Sequence, residues 1–227
     1  MKHIVIALLV FCLLWAGNSG AQTSEKIKVA CIGNSITAGA KLKDKLKDAY
    51  PAQLGRMLGD KYDVQNFGVS GRTLLSKGNM PYVKTGAYIR AQEFNPDIVI
   101  IKLGTNDSKP YNWEFGSEFK GDYVKLIESF RKLDSQPEIY LCLAVPVAKS
   151  GLTINAEIVA NEINPLIAEI AREQHLKLID LYTPFLGKGD LFPDYIHPNA
   201  EGAGILAQVV YKHLTGTDFI DSCSETK

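Results

Sequence analysis

The sequence predicts one three-layer α/β/α domain built around a five-stranded parallel sheet. Three observations carry that expectation. Five short strand-like runs lie between Lys28 and Leu181, and the clearest of them, such as Ile98–Ile101, are apolar throughout rather than alternating, as strands buried on both faces are. Segments with helical apolar spacing separate them, so consecutive strands are joined by crossovers and run parallel. The chain has 227 residues, 46% of them apolar, which is enough for one full-sized core.

The first strand is expected at Lys28–Ile32, ended by Gly33, and a helix at Tyr50–Leu58, stopped by Gly59. Tyr62–Phe67 reads as the second strand and Thr85–Phe94 as a short helix. Ile98–Ile101, β-branched throughout and introduced by Asn95-Pro96-Asp97, is the clearest strand of all. Phe119, Tyr123, Leu126, Ile127 and Phe130 share one helical face. Ile139–Val145 is the fourth strand, stopped by Pro146. Asn155–Gln174 is helical, with Pro165 expected to kink or split it near Asn164. Leu176–Leu181 is the fifth strand and Gly202–Leu214 the closing helix. No repeat, linker or low-complexity tract divides this span.

The N-terminal residues are read apart from the fold. Lys2 and His3 precede an apolar run, Ile4–Ala16, followed by small and polar residues through Ser19-Gly20-Ala21. That is the pattern of a cleavable secretory signal, and the run is shorter than the roughly 20 residues a bilayer requires. The expected organisation is a signal peptide at 1–21 and a single domain at 22–227. The product would be secreted or periplasmic, with no membrane attachment after cleavage. Lys and Arg total 25 against 25 Asp and Glu, leaving no net field to hold a phosphate backbone. Nucleic acid is therefore excluded as the principal partner. Cys31 and Cys142 fall inside strand-like runs and read as small hydrophobes, while Cys223 lies in a polar tail. Neither a CxxC pair nor a His/Cys cluster indicates a metal site.

Sheets of this kind bind ligands beyond the carboxyl ends of their strands. The segments there are Gly33–Gly39, Gly68–Arg72, Gly104–Asp107, Val145–Lys149 and, after a longer loop, Asp194–His197. Among the four histidines, His3 is in the leader, His175 in a charged turn and His213 at the end of the last helix. His197 has a carboxylate three residues before it, Asp194, able to fix its tautomer, and Pro198 after it. A helix-start turn with an uninvolved histidine fits the same spacing. Ser35, in Gly33-Asn34-Ser35-Ile36-Thr37, should emerge at the sheet edge, and needs a base such as His197 to become a nucleophile. Ser70 is a weaker candidate, because Gly68-Val69-Ser70-Gly71-Arg72 lacks the second glycine of a Gly-x-Ser-x-Gly elbow. Donors for an oxyanion are available from the Ser35 and Gly71 N–H groups and from Asn106, in Gly104-Thr105-Asn106-Asp107. Turn chemistry would also explain Asn and Asp at those positions.

The four blocks Gly33-Asn34-Ser35-Ile36, Val69-Ser70-Gly71-Arg72, Gly104-Thr105-Asn106-Asp107 and Asp194-Tyr195-Ile196-His197 resemble, in order, those of the SGNH (GDSL-type) hydrolases. The resemblance runs from Val29 to the final helix. It implies a flavodoxin-like sheet, the SGNH hydrolase fold, with no metal or cofactor. It also implies Ser35 as nucleophile, His197 as base, Asp194 as its partner, and Ser35, Gly71 and Asn106 as the oxyanion hole. One position departs from the pattern: Asn34 stands where the family's first block usually has Asp, keeping the hydrogen-bonding shape without the charge.

The implied reaction is hydrolysis of a carboxylic ester through an acyl-enzyme. Two aromatic-rich connections, Met80–Tyr88 and Tyr111–Phe115, lie beside the site. Aromatic faces next to polar groups suit a sugar ring, although holding their own loops down is the commoner role of large aromatics. The Asp107–Trp113 stretch is similar to that of secreted bacterial acetyl esterases of carbohydrates. This implies a glycan or small-molecule ester as partner, with Tyr111 and Trp113 as substrate contacts. A lysophospholipase or thioesterase is the first alternative, but neither loop offers the continuous apolar groove it would need. A catalytically silent glycan-binding relative is the second.

Overall fold

The computed structural model describes residues 25–147 and 154–219. The expected leader at 1–21, Cys223, and Ala148 and Lys149 lie outside the described residues. The strands are β1 (Ile27–Gly33), β2 (Tyr62–Gly68), β3 (Ile98–Lys102), β4 (Glu138–Cys142) and β5 (Lys177–Ile179). The larger helices are α1 (Tyr50–Leu58), α2 (Gly86–Glu93), α3 (Phe119–Arg131), α4 (Asn164–Glu173) and α5 (Ala200–Thr215). The strands pair in parallel, in the order β2-β1-β3-β4-β5.

Strand side chains alternate between two cores. Ala30, Ile32, Val99, Ile101, Ile139 and Leu141 face α2, α3 and α4. Val29, Cys31, Ile100, Tyr140, Cys142 and Ile179 face α1 and α5. The three layers follow directly from strands that are apolar on both faces. Cys31 and Cys142 are buried free thiols on the second face.

Element ends are set by side-chain hydrogen bonds. The Thr85 hydroxyl caps α2 through the Tyr88 N–H, and the Asn199 side chain caps α5 through the Gly202 N–H. The fourth and fifth strands are shorter than their apolar runs. Beyond Cys142, both backbone groups of Ala144 are taken by the Asn164 side chain, which accepts its N–H (2.8 Å) and donates to its carbonyl (3.0 Å). The strand β5 ends where the Asp180 carboxylate accepts the N–H groups of Tyr182 and Thr183, closing a turn. The helical stretch before β5 divides where proline requires it. Val159–Ile163 forms a π turn, and α4 then starts at Asn164 with Pro165 in its first turn.

The placement of the site depends on the carboxyl edge of three strands. Gly33 at the end of β1 pairs with Gly68 on β2 and with Lys102 on β3. The Val69 N–H continues the pairing to the Gly33 carbonyl (3.0 Å). The Asn66 amide then bonds the Thr37 carbonyl (2.7 Å), fastening β2 to the short helix Ser35–Ala38. A Cβ on Gly68 would overlap the Ala38 nitrogen and lie 2.7 Å from the Thr37 carbonyl carbon. Both are backbone atoms that cannot rotate away. Gly68→Ala is therefore expected to cost about 2 kcal/mol or more in denaturant unfolding, the upper part of the range for overpacking. An unchanged midpoint would contradict this packing.

Candidate active site

Ser35 opens the short helix that follows β1. The Asn34 side chain accepts the Ile36 N–H (3.2 Å) as its cap, and Gly39 closes the turn at φ 74°. Ser35 is therefore the first helical residue, and its N–H is one of the first-turn donors without an intrahelical acceptor. Its side chain is nearly buried, at 9% exposure. An asparagine at position 34 retains the acceptor oxygen that caps the turn, while its amide nitrogen is buried without a partner among the described residues.

His197 comes to Ser35 from 162 residues further along the chain. The Asp194 carboxylate accepts the backbone N–H groups of Ile196 (3.1 Å) and His197 (2.7 Å), bending the chain back through Tyr195 at φ 67°. The second carboxylate oxygen lies 2.7 Å from His197 Nδ1. On the opposite side of the ring, Nε2 lies 2.8 Å from Ser35 Oγ. Pro198 is buried, and Asn199 then caps α5, so the imidazole is carried on a rigid helix start. Burial alone would raise the Asp194 carboxyl, but the His197 and Ile196 N–H groups and the imidazole outweigh it and hold the carboxyl below its ordinary value.

The third block turns sharply at Gly104, φ 116°, into a tight helical turn at Thr105–Ser108. The Asn106 amide donates to the Arg72 carbonyl (3.1 Å), joining this block to the second, whose Gly71 has φ 79°. Ser35, His197 and Asp194 thus form one hydrogen-bonded chain, and Asn106 lies against the turn that contains Gly71. Ser70 is exposed.

Sequence reading did not find what holds the second and third blocks together. The Asp107 carboxylate accepts the N–H groups of Leu74 (3.0 Å) and Leu75 (2.8 Å). Burial raises its pKa to about 7 despite those two bonds. The buried Asn112 amide donates to the Asn106 carbonyl (2.9 Å) and accepts the Asn79 N–H (2.8 Å). Both residues stand in stretches singled out from the sequence, but their partners Leu74, Leu75 and Asn79 lie more than thirty residues away with no local sign.

The aromatic residues are largely anchors. Tyr82 is fully buried and donates to the Phe67 carbonyl (2.8 Å), and Tyr88 packs against Tyr82 and Phe130. Trp113 donates its indole N–H to Glu162 (2.8 Å) and packs edge-on to Phe119. Tyr111 is 46% exposed. A cavity of about 420 Å³ adjoins the site, lined among others by Lys41, Leu42, Lys43, Pro193, Asp194 and His197.

Residues 31–205 match the model of the GDSL-like lipase/acylhydrolase family. The chain belongs to that family. It is 42% identical over 214 residues to an acetylxylan esterase of Xylanibacter ruminicola, a match covering 86% of this chain and 45% of the relative. A multidomain esterase of Ruminococcus flavefaciens is 28% identical over 155 residues, 63% of this chain and 19% of its own length. The chain thus spans less than half the length of these relatives. Among solved structures, a carbohydrate acetylesterase of Sinorhizobium meliloti superposes with TM-score 0.67 at 22% identity, covering 84% of this chain and 99% of that one. At that identity the likeness establishes the shared GDSL-type fold.

One buried group of this GDSL-like protein has no evident partner. Lys102, beside Gly33 at the end of β3, is 1% exposed, and its Nζ has no hydrogen-bond partner among the described residues. Burial lowers its pKa from 10.5 to about 8, with Cys142 opposing slightly. The unfolded chain thus holds a proton up to about 10.5 that the folded chain gives up near 8. Stability therefore rises with pH across that window and stays lowered by about 3 kcal/mol below it. Lys102→Met is expected to raise the urea midpoint at pH 7 and to flatten the rise between pH 8 and 10. A variant no more stable than the parent would contradict it.

Proposed function

We propose that this protein is a serine esterase that removes O-acetyl groups from carbohydrates through an acyl-enzyme. The observation that carries the reading is the single hydrogen-bonded chain Ser35–His197–Asp194, with ring distances of 2.8 and 2.7 Å. In this mechanism Ser35 Oγ attacks the ester carbonyl while its proton passes to His197 Nε2. Asp194, held ionised by its N–H donors, stabilises the imidazolium and fixes the tautomer. The tetrahedral oxyanion is met by the Ser35 and Gly71 N–H groups and the Asn106 amide. Nε2–H then returns the proton to the departing alcohol, and water repeats the sequence on the acyl-enzyme.

Support for the substrate comes from the relatives. The 42%-identical protein is an acetylxylan esterase, and a two-domain esterase with a similar fold (TM-score 0.63, 21% identity) is active on acetylated mannans. A leader at 1–21 would deliver the domain to such polymers outside the cytoplasm, and a mature chain starting at Gln22 is the product to look for by N-terminal sequencing. A start at Met1 would contradict the leader.

The decisive assay is acetate release from acetylated xylan and from p-nitrophenyl acetate. Ser35→Ala is expected to lower kcat by at least about 10³-fold and Asp194→Asn by a similar factor, with folding unchanged. Equal rates for Ser35→Ala and parent would favour a binding module. Faster cleavage of octanoyl than acetyl esters would favour the lipase alternative.

A further inference from the structure

Met80 belongs to none of the three apolar clusters among the described residues, and it is 36% exposed. Its side chain nevertheless has a defined neighbour. A Cβ placed on Gly71 would lie 3.3 Å from the Met80 sulfur and 3.8 Å from its methyl carbon. Gly71 precedes Arg72, whose carbonyl receives the Asn106 amide. The thioether therefore rests on the turn that joins two of the three proposed oxyanion donors.

The backbone beneath Met80 is held firmly. The Thr73 N–H donates to the Met80 carbonyl (3.0 Å), and the Tyr82 N–H donates to the Thr73 carbonyl (2.9 Å). The preceding Asn79 is bound to Asn112, the same side chain that holds the Asn106 carbonyl. The wall carrying Met80 and the donor amide thus share one anchor.

An ester oxygen seated between Gly71 and Asn106 dictates where the rest of the substrate goes. The alcohol must face His197, which returns its proton, so the acyl substituent points to the other side of the carbonyl. With the oxygen held at Gly71, the space beside that glycine is the nearest to the acyl substituent, and Met80 borders it. We propose that Met80 sets acyl-chain specificity: its thioether closes the acyl side of the site over Gly71, admitting a methyl group and excluding longer chains. This rests on the esterase reading above and adds which acyl groups fit. An unbranched, apolar, conformationally adaptable side chain suits such a wall.

The test is kcat/KM for p-nitrophenyl acetate, butyrate and hexanoate with the parent, Met80→Ala, Met80→Leu and Met80→Phe. Trimming to alanine removes three heavy atoms, room for the two extra carbons of butyrate. The butyrate-to-acetate ratio is expected to rise by about tenfold or more in Met80→Ala, because a single misplaced methylene in a pocket is worth about that much. It should stay within about twofold in Met80→Leu, and fall in Met80→Phe. A merely structural role would lower all three substrates together and leave the ratio unmoved. Unmoved ratios in both Met80→Ala and Met80→Phe, with acetate still turned over, would overturn this assignment and leave the esterase standing. A parent inactive on every ester would overturn both.

Discussion

Three parallel strands reach a common level at Gly33, Gly68 and Lys102, and the proposed site is assembled on that edge. The constraint is steric before it is chemical. The helix bearing Ser35 passes so close to the end of β2 that no side chain fits on Gly68, and its first cap is an asparagine held by the same turn. Fixing the hydroxyl at a sheet edge in this way removes the freedom that a loop serine would have to lose on meeting its base. His197 arrives from the far end of the chain, yet its ring has little latitude. Its backbone N–H and its Nδ1 are both tied to Asp194, and the helix α5 starts three residues later.

A second layer of side chains carries the geometry outward. Asp107 and Asn112 each bridge the turn after β3 to residues 74–79, so the segment around Gly71 cannot move without breaking buried hydrogen bonds. Such bonds are costly to leave unmade, and this makes the region stiff. Stability is also given up nearby. Among the described residues, Lys102, paired with Gly33 at the end of β3, is buried with its Nζ unpartnered, and the buried Asn34 amide nitrogen is likewise without a partner. Local concessions of this kind are common next to functional sites.

The fold was legible because both of its signals are local. Runs such as Ile98–Ile101 have no alternative to a doubly buried strand, and Gly59 and Pro165 mark helix boundaries by backbone geometry alone. Where the expectation overran, the backbone of Ala144 is taken by the distant Asn164 side chain, and past Ile179 the Asp180 carboxylate closes a turn on Tyr182 and Thr183. Ser35, Asp194 and His197 were legible as candidates from residue type and position, and their grouping came from the resemblance of the four blocks; the structure brings them into hydrogen-bonding distance. The clamps made by Asp107, Asn112 and Asn164 were not, since a hydrogen bond to a residue twenty or thirty positions away leaves no periodicity. The aromatic loops were harder still. Composition cannot separate a ring that anchors its loop, as Tyr82 and Trp113 do, from one that faces a ligand.

The proposed mechanism singles out Ser35 Oγ as the atom that would become covalently acylated. The direct measurement is peptide mass spectrometry of the protein after reaction with a fluorophosphonate, a reagent that traps activated serines. A single adduct on Ser35, absent from His197→Ala, is the expected result. An adduct on Ser70 or another residue with Ser35 unmodified would contradict the assignment.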